Sequence, residues 1–291
     1  MTIDPITITS AIVSGILTGL VYGLMALGLS VIFGVARVVN FAHGEIMAAA
    51  MYLAVTLFAG FGLNPFLTVL PIGASFFVLG YFFQRAVIQP FITRPEHAQF
   101  MVLLAIAIII TNSLLLVFGP DARTVQLDAL LESIEFGALL IDRGKFYAAV
   151  VACAAAAALF GFFRFTSTGT AIRACADNAV GAQVVGLNLK KLYAIAFGLG
   201  SACVAIAGCM MTVLVDLTPN LGPAYTLLAF VIVIVGGLGS LSGALLGGVL
   251  IGLSEALAGL FIVPSAKSMF SFALLIIVLL VRPQGLLGSK S

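Results

Sequence analysis

The stretch Met101–Ile110, MVLLAIAIII, decides the fold, because none of its residues is polar. A strand of a membrane barrel would alternate polar and apolar side chains, whereas this run is apolar on every face. A hydrocarbon core roughly 30 Å thick takes about 20 such residues in a helix, and the run extends to both sides. The stretch therefore predicts a helix that crosses a membrane.

The composition of the whole chain points the same way. Of its 291 residues, 62% are hydrophobic and 8% are charged. That leaves too little polar surface to coat a water-soluble globule. The first apolar run begins near Ile6 without a basic residue before it, so we expect no cleaved signal peptide and a first helix that is retained.

Apolar runs separated by polar breaks give the predicted spans. They lie near residues 9–35, 41–60, 65–88, 99–118, 146–163, 192–214, 225–236, 244–263 and 268–281. The run Leu227–Val235 is short and ends in the glycine-rich Gly236–Ser240, which favours a broken or re-entrant helix. We expect an all-α, polytopic transmembrane bundle of about eight or nine spans, in a single domain over residues 1–291.

The distribution of basic residues predicts the orientation, since lysine and arginine near helix ends stay in the cytoplasm. With nine spans, one set of breaks carries most of the basic residues and becomes the cytoplasmic side, so the N-terminus lies outside and the C-terminus inside. That set comprises Arg37, Arg85, Arg94, Arg164, Arg173, Lys190, Lys191, Arg282 and Lys290. The opposite set holds Arg123, Arg143, Lys145 and Lys267, together with most of the acidic residues, among them Asp128.

Two polar segments are longer than a hairpin needs, an outer loop of about residues 120–145 and an inner loop of about 164–191. Long loops are usually functional or disordered. Within the inner loop, Val180, Val184 and Leu187 recur at i, i+4 and i+7, which predicts one face of a short helix. Asp177 or Asn178 is suited to cap its start and Gly186 to end it.

The most informative polar stretch is Asn40–Glu45, NFAHGE, at the head of an apolar run. A carboxylate near the bilayer centre costs about 2.5–3.5 kcal/mol on insertion scales, so Glu45 should face protein or water. One interpretation is that Asn40, His43, Gly44 and Glu45 line a transport pathway. The other is that His43 and Glu45 lie at the interface, solvated or bonded to neighbours.

Two later features are candidates for the same pathway. Glu255 lies in the middle of a span without a basic neighbour in sequence, so it needs a partner from another helix or a proton. Gly236, Gly237 and Gly239 open a glycine-rich segment that either shapes a passage or lets helices pack closely.

Motifs for other chemistry are absent from the sequence. There is no G-x-x-x-x-G-K-[ST] nucleotide loop, so the chain is not expected to hydrolyse ATP, and no catalytic residue, bound cofactor or enzymatic activity is predicted. The two histidines and four cysteines form no metal-binding spacing. The net charge of +2 is scattered, which argues against a nucleic-acid partner.

Three stretches resemble the permeases of bacterial ABC importers for branched-chain amino acids. They are Arg37–Glu45, RVVNFAHGE; Gly169–Asn178, GTAIRACADN, continuing to Ala182, Gly186 and Asn188; and Gly236–Ala244, GGLGSLSGA. The resemblance runs from about residue 9 to the C-terminus. Cys175 and Ala176 stand where we expect a more acidic or polar residue in that family.

The resemblance implies a function, partners and a location. A permease of this length, the shorter of the family's two kinds, pairs with a second, related permease in the bacterial inner membrane, among membrane lipid. Two ATP-binding subunits supply ATP hydrolysis, and a periplasmic protein delivers the substrate. The inner loop resembles the segment that couples to the ATPase, so the candidate coupling residues are Arg173, Asp177, Asn178, Val180, Val184, Gly186 and Leu187.

Two alternatives stay open at this point. The same fold would serve a permease for urea or a short amide, because no residue of this chain unambiguously recognises the side chain of a transported amino acid. A self-sufficient ion-coupled carrier or channel would instead use Glu45 and Glu255 to carry protons or cations.

Overall fold

The computed structural model describes residues 4–92, 94–127, 132–136, 139–261 and 267–288, so that Asp128 and Lys290 lie outside the described residues. Its helices are α1 (Pro5–Ala36), α2 (His43–Phe61), α3 (Pro65–Phe83), α4 (Glu96–Phe118), α5 (Arg143–Phe165), α6 (Ser167–Asp177), α7 (Ala179–Val184), α8 (Leu189–Met211), α9 (Leu221–Gly236), α10 (Leu241–Phe261) and α11 (Lys267–Val281). A π-helical turn, Gln84–Ile88, and a 3-10 turn, Gln89–Phe91, extend α3.

The predicted all-α transmembrane bundle is confirmed. Among the described residues, seven helices are long and apolar enough to cross a membrane. The short α9 and the apolar part of α11, Ser268–Val281, are the two further apolar helices. These nine elements correspond in order to the nine predicted spans, and the short span near 225–236 is indeed shorter than a full crossing, with 16 residues in α9.

Helix boundaries follow local capping chemistry. Asp4 caps α1 by accepting a hydrogen bond from the Ile6 N–H at 3.3 Å, and Asn64 caps α3 by accepting one from the Phe66 N–H at 3.0 Å. A proline occupies the first position of each helix, where its missing N–H costs nothing. Gly62 ends α2 in the left-handed conformation, φ 65°. The observed boundaries differ from the predicted ones by a few residues.

The core forms where α1 packs against α8 and α10 through glycines. A Cβ on Gly28 of α1 would overlap the Gly200 carbonyl of α8, and one on Gly19 would lie 2.7 Å from the Gly248 carbonyl of α10. Small residues let helices approach closely where lipid gives no hydrophobic drive to associate. The apolar segment of α8 is 78% buried and that of α4 only 11%, so α8 is central and α4 peripheral.

The structure adds elements that the sequence did not predict. The outer loop contains an antiparallel hairpin of β1 (Ser133–Phe136) and β2 (Leu139–Asp142), and Glu132 beside it forms an ion pair with Arg143 at 3.0 Å. The inner loop contains the helix α6 in addition to the short helix α7. Alternating strands as short as these carry too little pattern to be recognised beside long apolar helices.

Candidate functional site

Asn40 and His43 form a buried polar turn at the start of α2, and neither side chain is exposed. The Asn40 Oδ1 accepts a hydrogen bond from the Ala42 N–H at 3.1 Å. The His43 Nε2 lies 2.9 Å from the Met25 carbonyl of α1. Because a carbonyl only accepts, Nε2 must donate, and this assigns the proton to that nitrogen. The turn thus fastens α2 to the middle of α1.

Glu45, two residues beyond His43, is held by α9 and is only 3% exposed. The Thr226 hydroxyl donates to its Oε2 at 2.9 Å and accepts from the Gly44 N–H at 2.8 Å. Glu45 therefore does not lie solvated at the interface but is bonded to neighbours inside the protein. Its part in a transport pathway stays a prediction.

Two helix starts meet around this carboxylate. Glu45 lies in the first turn of α2, and a Cβ on Gly222, near the start of α9, would come within 2.9 Å of the Glu45 Cγ. Unpaired N–H groups give a helix N-terminus a partial positive charge, which stabilises a nearby carboxylate. This arrangement explains in physical terms how an acidic side chain is accommodated so deep in an apolar bundle.

Glycine is required at the crossing of α2 and α9. A Cβ on Gly44 would overlap the Gly222 carbonyl. Thr226 and Gly222 were not among the residues singled out from sequence, because both lie about 180 residues away from Glu45 and belong to an ordinary apolar run. A sequence signal was present only in the Gly222–Pro223 pair, which lies in the first turn of α9.

The glycine-rich segment forms the turn between α9 and α10. Gly237 and Gly239 adopt positive φ angles of 109° and 80°, and Gly236 packs directly on Gly243. The carbonyls of Val235 and Gly236 accept hydrogen bonds from the N–H groups of Leu286 and Leu287, each at 2.9 Å. The C-terminal segment thereby caps α9. Close packing is observed here, while a role in shaping a passage stays a prediction.

Glu255 on α10 has partners on two other helices, as a carboxylate within a span requires. The Tyr22 hydroxyl of α1 donates to its Oε2 at 3.2 Å, and the Ser271 hydroxyl of α11 donates to its Oε1 at 2.9 Å. Glu45 and Glu255 thus have different partners, in the α2–α9 and α1–α10–α11 contacts respectively.

The short helix of the inner loop has the caps that the sequence predicted. The structure decides between the two candidate N-caps and corrects the position of Leu187. The Asn178 side chain caps α7 by accepting from the Gly181 N–H at 2.8 Å, whereas Asp177 ends α6. Gly186, φ 86°, ends the short helix. The prediction that Leu187 shares its helical face is wrong, because α7 stops at Val184 and Leu187 turns back towards the core.

The inner loop presents apolar side chains on its outside. Val180, Val184 and Val185 are 73%, 82% and 77% exposed. We call these three residues the valine patch. Arg173, on the preceding helix α6, is also exposed. Its Nη2 lies 3.4 Å from the Thr170 hydroxyl.

Cys175, where a polar residue was expected, is buried on the inner side of α6. Burial raises the pKa of the Cys175 thiol, and a hydrogen bond from Tyr193 opposes that rise. A buried neutral thiol behaves as a small hydrophobe. The position therefore belongs to the packing of α6 on the bundle rather than to its exposed face.

Comparison with known proteins relates this arrangement to one family. Residues 11–279 match the family described as branched-chain amino acid transport system / permease component. The high-affinity branched-chain amino acid transport system permease proteins LivH of Escherichia coli K12 and BraD of Pseudomonas aeruginosa are 29% and 30% identical to this chain. The alignments cover 94% and 95% of this chain and 94% of each relative.

A third relative has a comparable sequence identity. The probable branched-chain amino acid transport permease protein LivH of Methanocaldococcus jannaschii is 27% identical over 91% of this chain and 88% of its own length. No solved structure matches the chain. The family match begins within α1 and ends within α11, so it includes all of the apolar helices between them. The chain is a multi-pass membrane protein that belongs to the branched-chain amino acid transport permease family.

Proposed function

We propose that this chain is the permease subunit of an ABC importer that moves branched-chain or related amino acids inward across the bacterial inner membrane. ATP is hydrolysed by partner subunits, and the chain itself binds no cofactor. Family membership and the absence of a nucleotide loop from the sequence support the proposal. A permease of this kind must carry a surface through which the ATPase acts on the bundle.

The valine patch is the observation that carries the proposal. Its three valines are more than 70% exposed, although they belong to a capped helix and its C-terminal turn rather than to a frayed loop. A short helix with apolar anchors fits a groove on a partner protein. The patch and Arg173 are therefore assigned to ATPase coupling, with Asp177, Asn178, Gly186 and Leu187 shaping the segment.

Other parts of the chain support the remaining partners. Met101, Ile108 and Ile109 on the peripheral α4 are 64%, 55% and 61% exposed, which suits contact with lipid and with a second, related permease. The hairpin of β1 and β2 exposes Ser133, Glu135 and Asp142 beside Leu140, and it offers a mixed outer surface on which a periplasmic substrate-binding protein docks. The pathway residues assigned from sequence then lie between these outer and inner contacts.

The proposed orientation places the N-terminus outside and the valine patch in the cytoplasm. In a variant whose native cysteines are replaced, we expect Glu132→Cys, near Asp128, to react with a membrane-impermeant maleimide in spheroplasts. Lys190→Cys should react only after permeabilisation, because basic breaks remain inside. Glu132 and Lys190 are both exposed, so accessibility within the protein does not decide the result. The opposite labelling pattern would reverse the assignment.

Reconstitution tests the function itself. We expect the purified chain to bring with it ATP-binding subunits and a second permease, and vesicles containing this assembly and a binding protein to accumulate leucine only with ATP. The measurements are subunit composition and initial uptake of labelled leucine, with labelled urea as the matched cargo. Preference for urea would change the substrate class. Uptake by the isolated chain, driven by an ion gradient without ATP, would replace the importer with a carrier.

A further inference from the structure

A groove runs along the end of α5, where that helix meets α6 and the start of α10. Its volume is about 650 Å³. Arg164 and Arg173 line it, and every other lining residue is apolar, among them Ala157, Phe160 and Gly161. The groove therefore combines two positive charges with an otherwise apolar wall.

The turn between α5 and α6 fixes the position of both arginines. Thr166 caps α6 by accepting a hydrogen bond from the Gly169 N–H at 2.9 Å, and its own N–H donates to the Phe162 carbonyl of α5 at 3.2 Å. A Cβ on Gly169 would overlap that same carbonyl, so the two helices are in close contact. Arg164 and Arg173 therefore line one groove from two helices.

Within the described residues, neither of these guanidinium groups has a carboxylate within 4 Å. The Arg173 Nη2 lies 3.4 Å from the Thr170 hydroxyl, and the Arg164 Cζ lies 5.7 Å from the centre of the Phe165 ring. A hydroxyl and an aromatic face stabilise a cation without neutralising it. Asp177, one turn beyond Arg173 on α6, does not line the groove. Two such arginines side by side are suited to an anionic group, above all a phosphate.

The apolar part of the groove extends to membrane depth. Ala157 lies eight residues before the end of α5, which at 1.5 Å per residue is about 12 Å of helix. Half of a hydrocarbon core is roughly 15 Å thick, so Ala157 lies well inside it when the end of α5 is at its boundary. Ala157 is exposed, and a Cβ on Gly161 would meet only the Phe165 Cδ2, at 4.0 Å, among the described residues. The groove is thus open along its length.

The two parts of the groove together select one kind of occupant. A soluble protein or a free phosphate reaches the arginines alone, because the apolar wall lies at membrane depth. An apolar span of another subunit reaches that wall but brings no negative charge. An anionic phospholipid matches both parts, since its phosphate lies at the membrane surface and its acyl chains extend inward.

We propose that the groove binds an anionic phospholipid, with the phosphate between Arg164 and Arg173 and one acyl chain along Phe160 and Ala157. In the proposed orientation this lipid belongs to the cytoplasmic leaflet. The inference goes beyond the proposed function, because it depends on neither the cargo nor ATP. Arg173 thereby gains a contact in addition to its part in coupling, and Arg164 gains its first assigned role.

Tryptophan fluorescence tests the site, because the chain contains no tryptophan. Phe160→Trp places one reporter in the groove, and Phe165→Trp, at an 81% exposed position, is a second that does not disturb packing. The full-length chain is reconstituted in phosphatidylcholine vesicles with increasing fractions of a lipid whose brominated acyl chains quench tryptophan. We expect brominated phosphatidylglycerol to reach half-maximal quenching at about a tenfold lower fraction than brominated phosphatidylcholine, the effect of one charge-assisted hydrogen bond. Identical curves for the two lipids would refute the site.

Neutral variants in the reporter chain identify the two arginines. Arg164→Gln and Arg173→Gln should each reduce the preference for phosphatidylglycerol, and the double variant should abolish it. Lys190→Gln is the matched control, because it removes an exposed positive charge of the same inner loop that does not line the groove. A preference that survived the double variant, or that Lys190→Gln reduced equally, would reflect general charge attraction and overturn the groove.

A groove-filling variant tests the acyl chain. Gly161→Leu should weaken quenching by brominated phosphatidylglycerol at low fractions while the protein remains folded, because its Cβ enters open space. Gly60→Leu is the control, since Gly60 is an exposed glycine of α2 that also has open space around its Cβ position. Unfolding temperatures of both variants report their folding. Unchanged quenching in Gly161→Leu would mean that no acyl chain lies in the groove.

The complete assembly decides between the lipid and a protein partner. Native mass spectrometry measures the phosphatidylglycerol that the purified complex retains. We expect the wild-type assembly to retain it and the assembly with both Arg164→Gln and Arg173→Gln to lose it, while millimolar glycerol 3-phosphate should not displace it. An assembly that retains its ATPase subunits but excludes the lipid would assign the arginines to a protein contact and overturn the proposal. Displacement by glycerol 3-phosphate would make a soluble phosphate the ligand instead.

Discussion

Val184→Glu is expected to separate the permease from its ATPase while leaving the membrane bundle folded. Val184 is 82% exposed, so a charge there stays in water when the permease is alone. In the assembled importer the same carboxylate would be buried without a partner, at a cost of several kcal/mol. We expect loss of ATPase subunits from the purified complex and loss of ATP-driven uptake, measured in one preparation.

A control for charge alone comes from the same loop. Ser167→Glu adds the same carboxylate at the first position of α6, where the helix dipole favours it and no valine patch is touched. It should retain the ATPase subunits. Gly186→Val should also impair coupling, because a β-branched residue is strained at φ 86°. If Val184→Glu and Gly186→Val both left association and coupled uptake unchanged, the loop would not be the coupling element.

Gly44→Ala is expected to have the largest effect on stability. The added Cβ would overlap the Gly222 carbonyl, and separating α2 from α9 would weaken the hydrogen bonds that Thr226 makes with Gly44 and Glu45. Overpacking of a close contact typically costs about 1–3 kcal/mol, and here the obstacle is backbone that cannot rotate away. We expect a lower unfolding temperature in detergent and a smaller monodisperse fraction.

The same helix offers a matched control. Gly60 on α2 has no atom within 4 Å of the position its Cβ would take. Gly60→Ala should be neutral or stabilising by up to about 1 kcal/mol, because alanine favours the helix. An unfolding temperature for Gly44→Ala equal to that of Gly60→Ala would mean that the crossing tolerates a side chain, and that glycine there is not required for packing.

The spans could be predicted because apolar length is a local property. A run such as Met101–Ile110 can be recognised as a membrane span without knowing which helices pack against it. Local capping was equally readable, and Asn178 and Gly186 do what their positions in sequence indicated. The error at Leu187 arose because periodicity was extended past a glycine that ends the helix after Val184. A pattern of i, i+4 and i+7 requires two helical turns, and α7 provides less than that.

Partners across the bundle could not be predicted from one sequence. That Glu45 and Glu255 need partners follows from the cost of a carboxylate in lipid, but Thr226, Tyr22 and Ser271 look like ordinary polar residues of apolar helices. Lys145 was assigned only to the outer loop. Its hydrogen bond to the Ser14 hydroxyl depends on the packing of α5 beside α1, which no local pattern encodes.

The attachment of α9 at both ends constrains how the permease can change shape. Near its start, Thr226 ties it to α2, and at its end the carbonyls of Val235 and Gly236 are tied to the C-terminal segment. Because α9 is hydrogen-bonded to other segments at both ends, it cannot tilt by itself without breaking these bonds. The hydrocarbon core of the membrane offers no replacement partners. We therefore expect one rigid body that consists of the first turn of α2, the whole of α9 and residues 286–287. Any hinge must lie outside these segments.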